Sequence, residues 1–158
     1  MDIAGPTSRR GMAAIAAGLA MVAANRDTAT AQGSPPGIED FVRRFRAAMD
    51  ERNADGIAAL YGERALLLMP EGPIAAGRDQ IRAVYARNFA SGAVRMTPAE
   101  TRADGDASQA VILWIWNVEI VQPGRDPARR RIRAMLHLKN GPAGWQIAAD
   151  LYQVVPAG

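Results

Sequence analysis

The chain of 158 residues has a formal net charge of +3 and is 49% hydrophobic, which fits one globular domain and is too short for two ordinary ones. It contains no cysteine and a single histidine, His137, so disulfides, thiolate catalysis and metal sites built from several cysteines or histidines are excluded. The basic residues are scattered, except for the run 129–131, and do not alternate with aromatic residues, which argues against nucleic-acid binding.

The first 31 residues have the composition of an export signal. Arg9 and Arg10 precede a run of small apolar residues that is too short to cross a bilayer as a helix. The segment ends in Ala29-Thr30-Ala31, which is typical of a cleavage site, and the arginine pair is similar to a twin-arginine signal. We therefore expect residues 1–31 to be a signal peptide, residues 32–37 a linker, and the mature protein periplasmic or secreted, with no integral membrane span. The alternative is a disordered or membrane-associated N-terminus.

Helical periodicity follows the linker at three places. Apolar residues recur every three or four positions from Ile38 to Met49 with charged residues between them, which predicts an amphipathic helix of about four turns. Asn53 can cap a second, shorter helix. Gly77 opens a third helix, whose apolar residues up to Phe89 share one face.

The rest of the chain carries strand signals. Residues 65–69 predict a buried strand that ends at Pro70, and residues 74–76 could form a short strand beside it. After the third helix, tight turns separate four predicted long strands: 93–103, 107–121, 129–139 and 145–155. Helices segregated from an antiparallel sheet indicate an α+β fold. No glycine-rich phosphate loop follows a strand, so nucleotide binding has no support and we expect no cofactor.

Three stretches occur in a characteristic order. AALY at 58–61 leads into ALLLMP at 65–70, GRDQIR at 77–82 opens the third helix, and GWQIAAD at 144–150 lies in the last strand. Together they resemble the nuclear transport factor 2-like superfamily, particularly its SnoaL-like and ketosteroid-isomerase-like bacterial branch. The resemblance covers residues 38–155. It implies a cone-shaped α+β fold, with three N-terminal helices packed on a curved, mixed, mostly antiparallel sheet.

The resemblance also implies an apolar cavity at the mouth of the cone. Neighbours along a strand face opposite ways, and parity alone would place His137 and Asp150 in solvent. Matching the chain to the isomerase pattern turns both inward. We then expect these residues to line the cavity: Phe45, Met69, Trp114, Trp116, Met135, His137, Asp150 and Tyr152. These residues would lie on the outer face: Leu113, Ile115, Ile132, Leu136, Leu138, Ile147 and Leu151. Such an apolar outer face predicts a homodimer packed sheet to sheet.

Isomerase chemistry itself is not expected to transfer to this chain. Ketosteroid isomerases need a carboxylate base, and a tyrosine and a protonated aspartate that hold the enolate oxygen. The resemblance places these three roles on Met69, Phe45 and Met135. None of these side chains can exchange a proton or donate a strong hydrogen bond.

The remaining candidates for catalysis are Asp150, His137 and Tyr152. A carboxylate in an apolar, aromatic pocket is pushed towards neutrality, which suits a general acid or base. Histidine can shuttle protons near neutral pH. The alternatives are a structural carboxylate held by Arg131, Arg133 or a backbone donor, an ordinary strand histidine, and tryptophans that belong to the core.

These observations predict an exported protein that binds a small hydrophobic carbonyl compound, with isomerase-, lyase- or cyclase-like chemistry. Two alternatives stay open. One is a non-catalytic binding module, which the missing isomerase residues favour. The other is a structural homodimer whose cavity is filled by Trp114, Trp116 and Met135.

Overall fold

The computed structural model describes residues 34–91, 93–121 and 126–156. The predicted signal peptide and the first two residues of the predicted linker lie outside these ranges. The described residues form these helices and strands: α1 (Ile38–Asp50), α2 (Ala54–Ala59), β1 (Tyr61–Leu68), β2 (Ala75–Ala76), α3 (Arg78–Ala90), β3 (Ala93–Gly105), β4 (Gln109–Val121), β5 (Ala128–Gly141) and β6 (Gly144–Pro156). Within those ranges, no helix is both long enough and apolar enough to span a bilayer.

The six strands form one mixed sheet in the order β2-β1-β6-β5-β4-β3. Only the pairing of β1 with β6 is parallel, and the other four pairings are antiparallel. Two helices precede the sheet in sequence, and α3 follows β2. This arrangement confirms the expected α+β class with a mixed sheet, while the cone shape stays a prediction.

The helix starts form where the sequence predicts them. The side chain of Asn53 accepts a hydrogen bond of 2.7 Å from the backbone nitrogen of Gly56, which caps α2. Gly77 precedes α3 with a φ of 84°, and a Cβ there would lie 3.2 Å from the carbonyl oxygen of Glu63. Glycine is therefore required at this position, where its nitrogen also donates to the carbonyl of Ala65 at 2.8 Å.

The core lies between the helices and one face of the sheet, which we call the inner face. Phe45 of α1 packs on Trp114 of β4 with ring centroids 4.8 Å apart, and Trp114 meets Trp116 edge to face at 5.5 Å. Phe41 and Ile147 are completely buried in the same cluster. Burying side chains of this size stabilises a fold by about 1.5–3 kcal/mol each, so this cluster anchors α1 to the sheet.

A β-bulge in β6 decides which way Asp150 points. His137 pairs with Ala149 and Leu138 pairs with Ile147, so β6 advances two residues where β5 advances one. The extra residue, Ala148, shifts the alternation of faces. Ile147 and Asp150 are therefore both buried on the inner face, although they lie three positions apart.

The structure corrects the expected faces of β5. Directly paired residues share a face of the sheet, and Trp114 pairs with Ala134 while Leu136 pairs with Asp150. The even-numbered residues of β5 therefore face inward. Met135, which is 49% exposed, and His137 lie on the opposite, outer face, so their predicted place in the cavity is wrong.

The same one-residue shift affects the predicted outer face. Ile132, Leu136 and Leu138 of β5 and Ile147 of β6 all belong to the core, contrary to expectation. A slip of one residue exchanges the two faces of a strand, and the match to the isomerase pattern introduced that slip in β5. In β6 the bulge at Ala148 places Ile147 on the inner face together with Asp150. Leu113 and Leu151 do lie on the outer face, where they are 48% and 40% exposed.

Candidate functional site

A cavity of about 100 Å³ opens on the inner side of the sheet. It contains five of the eight side chains predicted to line it. The full lining is Phe45, Met49, Asn88, Met96, Trp114, Trp116, Ile132, Ala134, Leu136, Asp150 and Tyr152. Met69 packs against the core but is not part of this lining.

Asp150 is the one buried charged residue among those the structure describes, with 4% of its surface exposed. Its Oδ2 accepts a hydrogen bond of 2.6 Å from the hydroxyl of Tyr61. Its Oδ1 is buried as well and has no hydrogen-bond partner among the described residues. One carboxyl oxygen is thus held in place while the other is left for a further contact.

A second tyrosine extends this contact. The hydroxyl of Tyr85 in α3 lies 3.0 Å from that of Tyr61. A phenol has one proton, and since Tyr61 donates to Asp150, its oxygen accepts from Tyr85. The chain Tyr85–Tyr61–Asp150 therefore links α3 through β1 to β6.

The backbone of Tyr61 is also fixed. Arg78, the first residue of α3, donates from Nε and Nη2 to the carbonyl oxygen of Tyr61 at 3.1 and 2.9 Å. This pair of charge-assisted hydrogen bonds holds the start of β1 against the start of α3. The position of the Tyr61 hydroxyl is consequently set by elements on both sides of it.

Burial raises the pKa values of both Asp150 and Tyr61. Burial raises the pKa of Asp150 from 3.8 to about 6, although the hydrogen bond from Tyr61 lowers it in part. Burial, followed by the nearby charge of Asp150, raises the pKa of Tyr61 well above its ordinary value. Near neutral pH Tyr61 therefore stays a donor, while Asp150 can exchange its proton.

Asp150 is not held by an arginine, which was one alternative for it. Arg131 and Arg133 share the parity of Met135 on β5 and are exposed. Its hydrogen-bond partner is Tyr61 instead. A neutral phenol leaves more of the desolvation cost of the carboxylate uncompensated than a guanidinium would.

His137 does not join this group. It lies on the outer face, and its Nε2 is 3.2 Å from Oε1 of Gln109 on the neighbouring strand. Tyr152 does line the cavity, and its pKa is raised by burial and by the charge of Asp150. Of the three residues predicted for catalysis, the structure therefore brings together Asp150 and Tyr152.

Trp114, which lines the cavity, carries a second unpaired polar atom. Its Nε1 is buried and has no hydrogen-bond partner among the described residues. By contrast, the buried Trp145 donates from Nε1 to the carbonyl oxygen of Pro36 at 2.9 Å. Sequence reasoning treated Trp114 as an apolar wall or core residue and missed its N–H group.

Sequence reasoning also missed Tyr61 and Tyr85, to which it assigned no role in the site. A buried tyrosine needs a partner for its hydroxyl, and that requirement is the signal that could have found them. Within the described ranges, no three His, Asp or Glu side chains are grouped closely enough to hold a metal ion.

Comparison with known proteins yields a family and a set of similar folds. The model of the SnoaL-like domain family matches residues 42–143. A ketosteroid isomerase-like protein from Erwinia carotovora atroseptica has a TM-score of 0.64 and 18% identity, over 76% of this chain and 95% of its own. No curated protein matches the chain.

Two further solved structures are similar at comparable levels. A nuclear transport factor 2-like protein with a cystatin-like fold from Novosphingobium aromaticivorans has a TM-score of 0.63 and 17% identity, over 73% of this chain and 77% of its own. A protein of unknown function with a cystatin-like fold from Nostoc punctiforme has a TM-score of 0.63 and 16% identity, over 76% and 90%. Identities this low bear on the fold alone.

Proposed function

Because the chain belongs to the SnoaL-like domain family, we propose that it binds a small molecule in its inner cavity, with Asp150 in contact with the ligand. The observation that carries this proposal is the state of Asp150. A buried carboxyl group with one unpaired oxygen costs free energy that an apolar residue of similar size would not. A ligand contact gives a reason for keeping such a group in an aromatic cavity.

We further propose that Asp150 works as an acid–base group on a hydrophobic carbonyl compound. A carboxyl group with a pKa of about 6 can take up and release a proton near neutrality. In an isomerisation, the carboxylate would remove a proton from the carbon beside the carbonyl, and the resulting acid would return it to another carbon. The proton is conserved in this exchange, so it needs no cofactor. Tyr61 would hold the carboxyl group in place, and Tyr152 would contact the ligand.

Proton abstraction can be tested without knowing the natural substrate. Small ketones such as cyclohexanone and 2-methylcyclohexanone are incubated with the protein in D₂O, and exchange at the α-carbon is followed by proton NMR. We expect the wild type to accelerate exchange over buffer and Asp150→Asn to lose that acceleration. Asp104→Asn, at an exposed strand end, is the matched control and should keep it. Equal exchange by wild type and Asp150→Asn would remove Asp150 from the mechanism.

A non-catalytic binding module is the second candidate. It is favoured by Met69 and Phe45, which the resemblance assigns to two of the isomerase roles and neither of which exchanges protons. The third residue, Met135, lies on the outer face and supplies no proton donor to the cavity either. Native mass spectrometry of the purified protein, combined with the exchange assay, distinguishes the acid–base protein from the binding module. A retained small molecule without any α-carbon exchange supports the binding module. If the protein retains no small molecule and shows no exchange, both candidates are contradicted and the structural homodimer is left.

We also propose that the outer face of the sheet joins two copies of the chain. One row of paired residues crosses four strands there: Leu68, Leu151, Met135 and Leu113. Leu151, Met135 and Leu113 line a groove of about 360 Å³ that also contains Glu100 and Arg133. An acidic and a basic side chain on the same patch can pair across a two-fold axis, which favours a second copy as the occupant.

Sedimentation velocity tests this proposal. The wild type should sediment as a dimer and Leu113→Lys as a monomer, because a charge would then lie within the apolar row. Ile74→Lys is the control, since Ile74 is 53% exposed but lies in the connection between β1 and β2. A wild type that stays monomeric at high micromolar concentration would contradict the proposal.

We propose, finally, that the protein is exported and works in the periplasm or outside the cell. The support is the sequence of residues 1–31, with its arginine pair, apolar run and Ala29-Thr30-Ala31 ending. N-terminal sequencing of the protein from a periplasmic fraction should begin at Gln32. A protein that begins at Met1 in the cytoplasmic fraction would contradict export.

A further inference from the structure

We propose that Trp114 and Asp150 jointly recognise one polar group: a carbonyl or hydroxyl oxygen with an N–H or O–H donor beside it. Trp114 would donate from Nε1 to the ligand oxygen, and Oδ1 of Asp150 would accept from the ligand donor. The ligand class is therefore an uncharged lactam, amide or hydroxy ketone. This inference rests on the proposed binding of a small molecule in the inner cavity, and not on the proposed acid–base step, since an Oδ1 that accepts from a ligand donor is not free to remove a carbon-bound proton.

The two atoms share an unusual property. Trp114 Nε1 and Asp150 Oδ1 are the two buried side-chain polar atoms in the described ranges that have no hydrogen-bond partner. Their residues are 2% and 4% exposed, and both line the same cavity. Buried polar groups are nearly always hydrogen-bonded, so two exceptions at one cavity call for an explanation. A ligand that pairs with both atoms supplies one.

The sheet register places the two residues on either side of one strand. Trp114 lies on β4 opposite Ala134, and Asp150 lies on β6 opposite Leu136. Because β5 runs between them, and Ala134 and Leu136 are two residues apart along β5, their backbones lie on a diagonal, about 10 Å across the sheet and about 7 Å along it. Ala134, which pairs with Trp114 on one side and Tyr152 on the other, has the smallest side chain of the cavity lining and leaves room beside the indole for a small polar head.

Charge selects among possible ligands. An ammonium group would pair with Asp150 but leave the Trp114 N–H without an acceptor. An anion would accept from Trp114 but meet the carboxylate of Asp150. Only a neighbouring acceptor and donor satisfy both atoms, because indole only donates and an ionised carboxylate only accepts. The volume of about 100 Å³ further limits the enclosed part to a small ring or head group.

Three six-membered rings separate the contributions of these contacts. δ-Valerolactam carries both the oxygen acceptor and the N–H donor, N-methyl-δ-valerolactam lacks the donor, and cyclohexanone carries the oxygen alone. Each is titrated into full-length, ¹⁵N-labelled protein. The chain has three tryptophans, so only three indole N–H signals arise, and Trp114→Phe identifies the relevant one.

We expect δ-valerolactam to shift the Trp114 indole signal downfield and to bind roughly tenfold tighter than its N-methyl analogue, the usual effect of one hydrogen bond to a charged group. In Asp150→Asn this preference should vanish or reverse. Tyr61 would then donate to the amide oxygen, which turns the amide nitrogen, a donor, towards the cavity. Trp114→Phe should weaken the binding of all three rings. Trp145→Phe should keep the tenfold preference, because the indole of Trp145 donates to Pro36 and not to a ligand.

Two results would overturn the pairing. Equal affinities for the three rings would show that the cavity binds their apolar parts without hydrogen-bonding to the polar group, and the proposed small-molecule binding would still stand. An unshifted Trp114 indole signal at saturating lactam would remove that residue from recognition. Absence of binding by all three rings would also overturn the pairing, and native mass spectrometry of the purified protein would then decide independently whether the proposed function stands.

Discussion

Replacing Asp150 by asparagine should remove a large part of the pH dependence of folding stability. The pKa of this carboxyl group rises from 3.8 to about 6 on folding because it is buried. Each pKa unit corresponds to 1.36 kcal/mol, so a shift of about two units amounts to about 3 kcal/mol. The folded state holds the proton more tightly than the unfolded chain. Stability from this group is therefore greatest below pH 4 and is lost as the pH rises through 6.

Urea unfolding followed by tryptophan fluorescence measures this effect. The free energy of unfolding is determined at pH 4, 5, 6 and 7 for the wild type, Asp150→Asn and the exposed control Asp104→Asn. The difference between Asp150→Asn and the wild type should shift in favour of the variant by about 2 kcal/mol from pH 4 to pH 7, since part of the full shift falls below pH 4. The control should follow the wild type. A difference that stays constant across this range would refute the account of a buried, proton-exchanging carboxyl group.

Three further predictions address the neighbours of Asp150 and the two faces of β5. Tyr61→Phe should raise the pKa of Asp150 above 6, because the tyrosine hydrogen bond lowers it, and a fall measured by carbon-13 NMR would contradict the assigned contact. Leu136→Ala should lower the free energy of unfolding by about 2–5 kcal/mol, whereas Met135→Ala on the outer face should cost about 1 kcal/mol or less at a protein concentration where the chain is monomeric. Equal losses in urea unfolding at that concentration would contradict the register. His137→Gln should leave the affinity for δ-valerolactam unchanged in NMR titrations, because this side chain lies outside the cavity.

Most helices and strands follow directly from local patterns. The helix from Ile38, the cap at Asn53 and the glycine before Arg78 rest on spacing and backbone chemistry that act over a few residues. Alternation along β4, which has no irregularity in its pairing with β5, places Trp114 and Trp116 on one face, and the resemblance identifies that face as the inner one. The helix starts and the shared face of the two tryptophans could be predicted because nothing distant in sequence decides them.

The faces of β5 and β6 show where local patterns are insufficient. Simple alternation gives the correct face for His137 but the wrong one for Asp150, because the bulge at Ala148 lies between Ile147 and Asp150. Nothing in the sequence GWQIAAD marks that extra residue, since alanine fits a regular strand and a bulge alike. Matching to the isomerase pattern corrected Asp150 and, by the same shift, misplaced Met135 and His137.

The contacts of Asp150 depend on tertiary structure. Tyr61 is 89 positions away in sequence and meets Asp150 only because β1 pairs with β6 in parallel. Tyr85 joins them from α3. Sequence spacing carries no information on such encounters, so the tyrosine pair could be found only from the assembled sheet and helix.

The protonation of Asp150 is the central quantity in this account, and carbon-13 NMR of protein labelled at the aspartate side-chain carboxyl carbon measures it directly. A titration between pH 3 and 8, with the Asp150 signal assigned through Asp150→Asn, should give a midpoint of about 6. Saturating δ-valerolactam should lower that midpoint, because its N–H favours the ionised carboxylate. A midpoint near 4 that does not respond to the lactam would contradict both the burial of this group and its contact with a ligand.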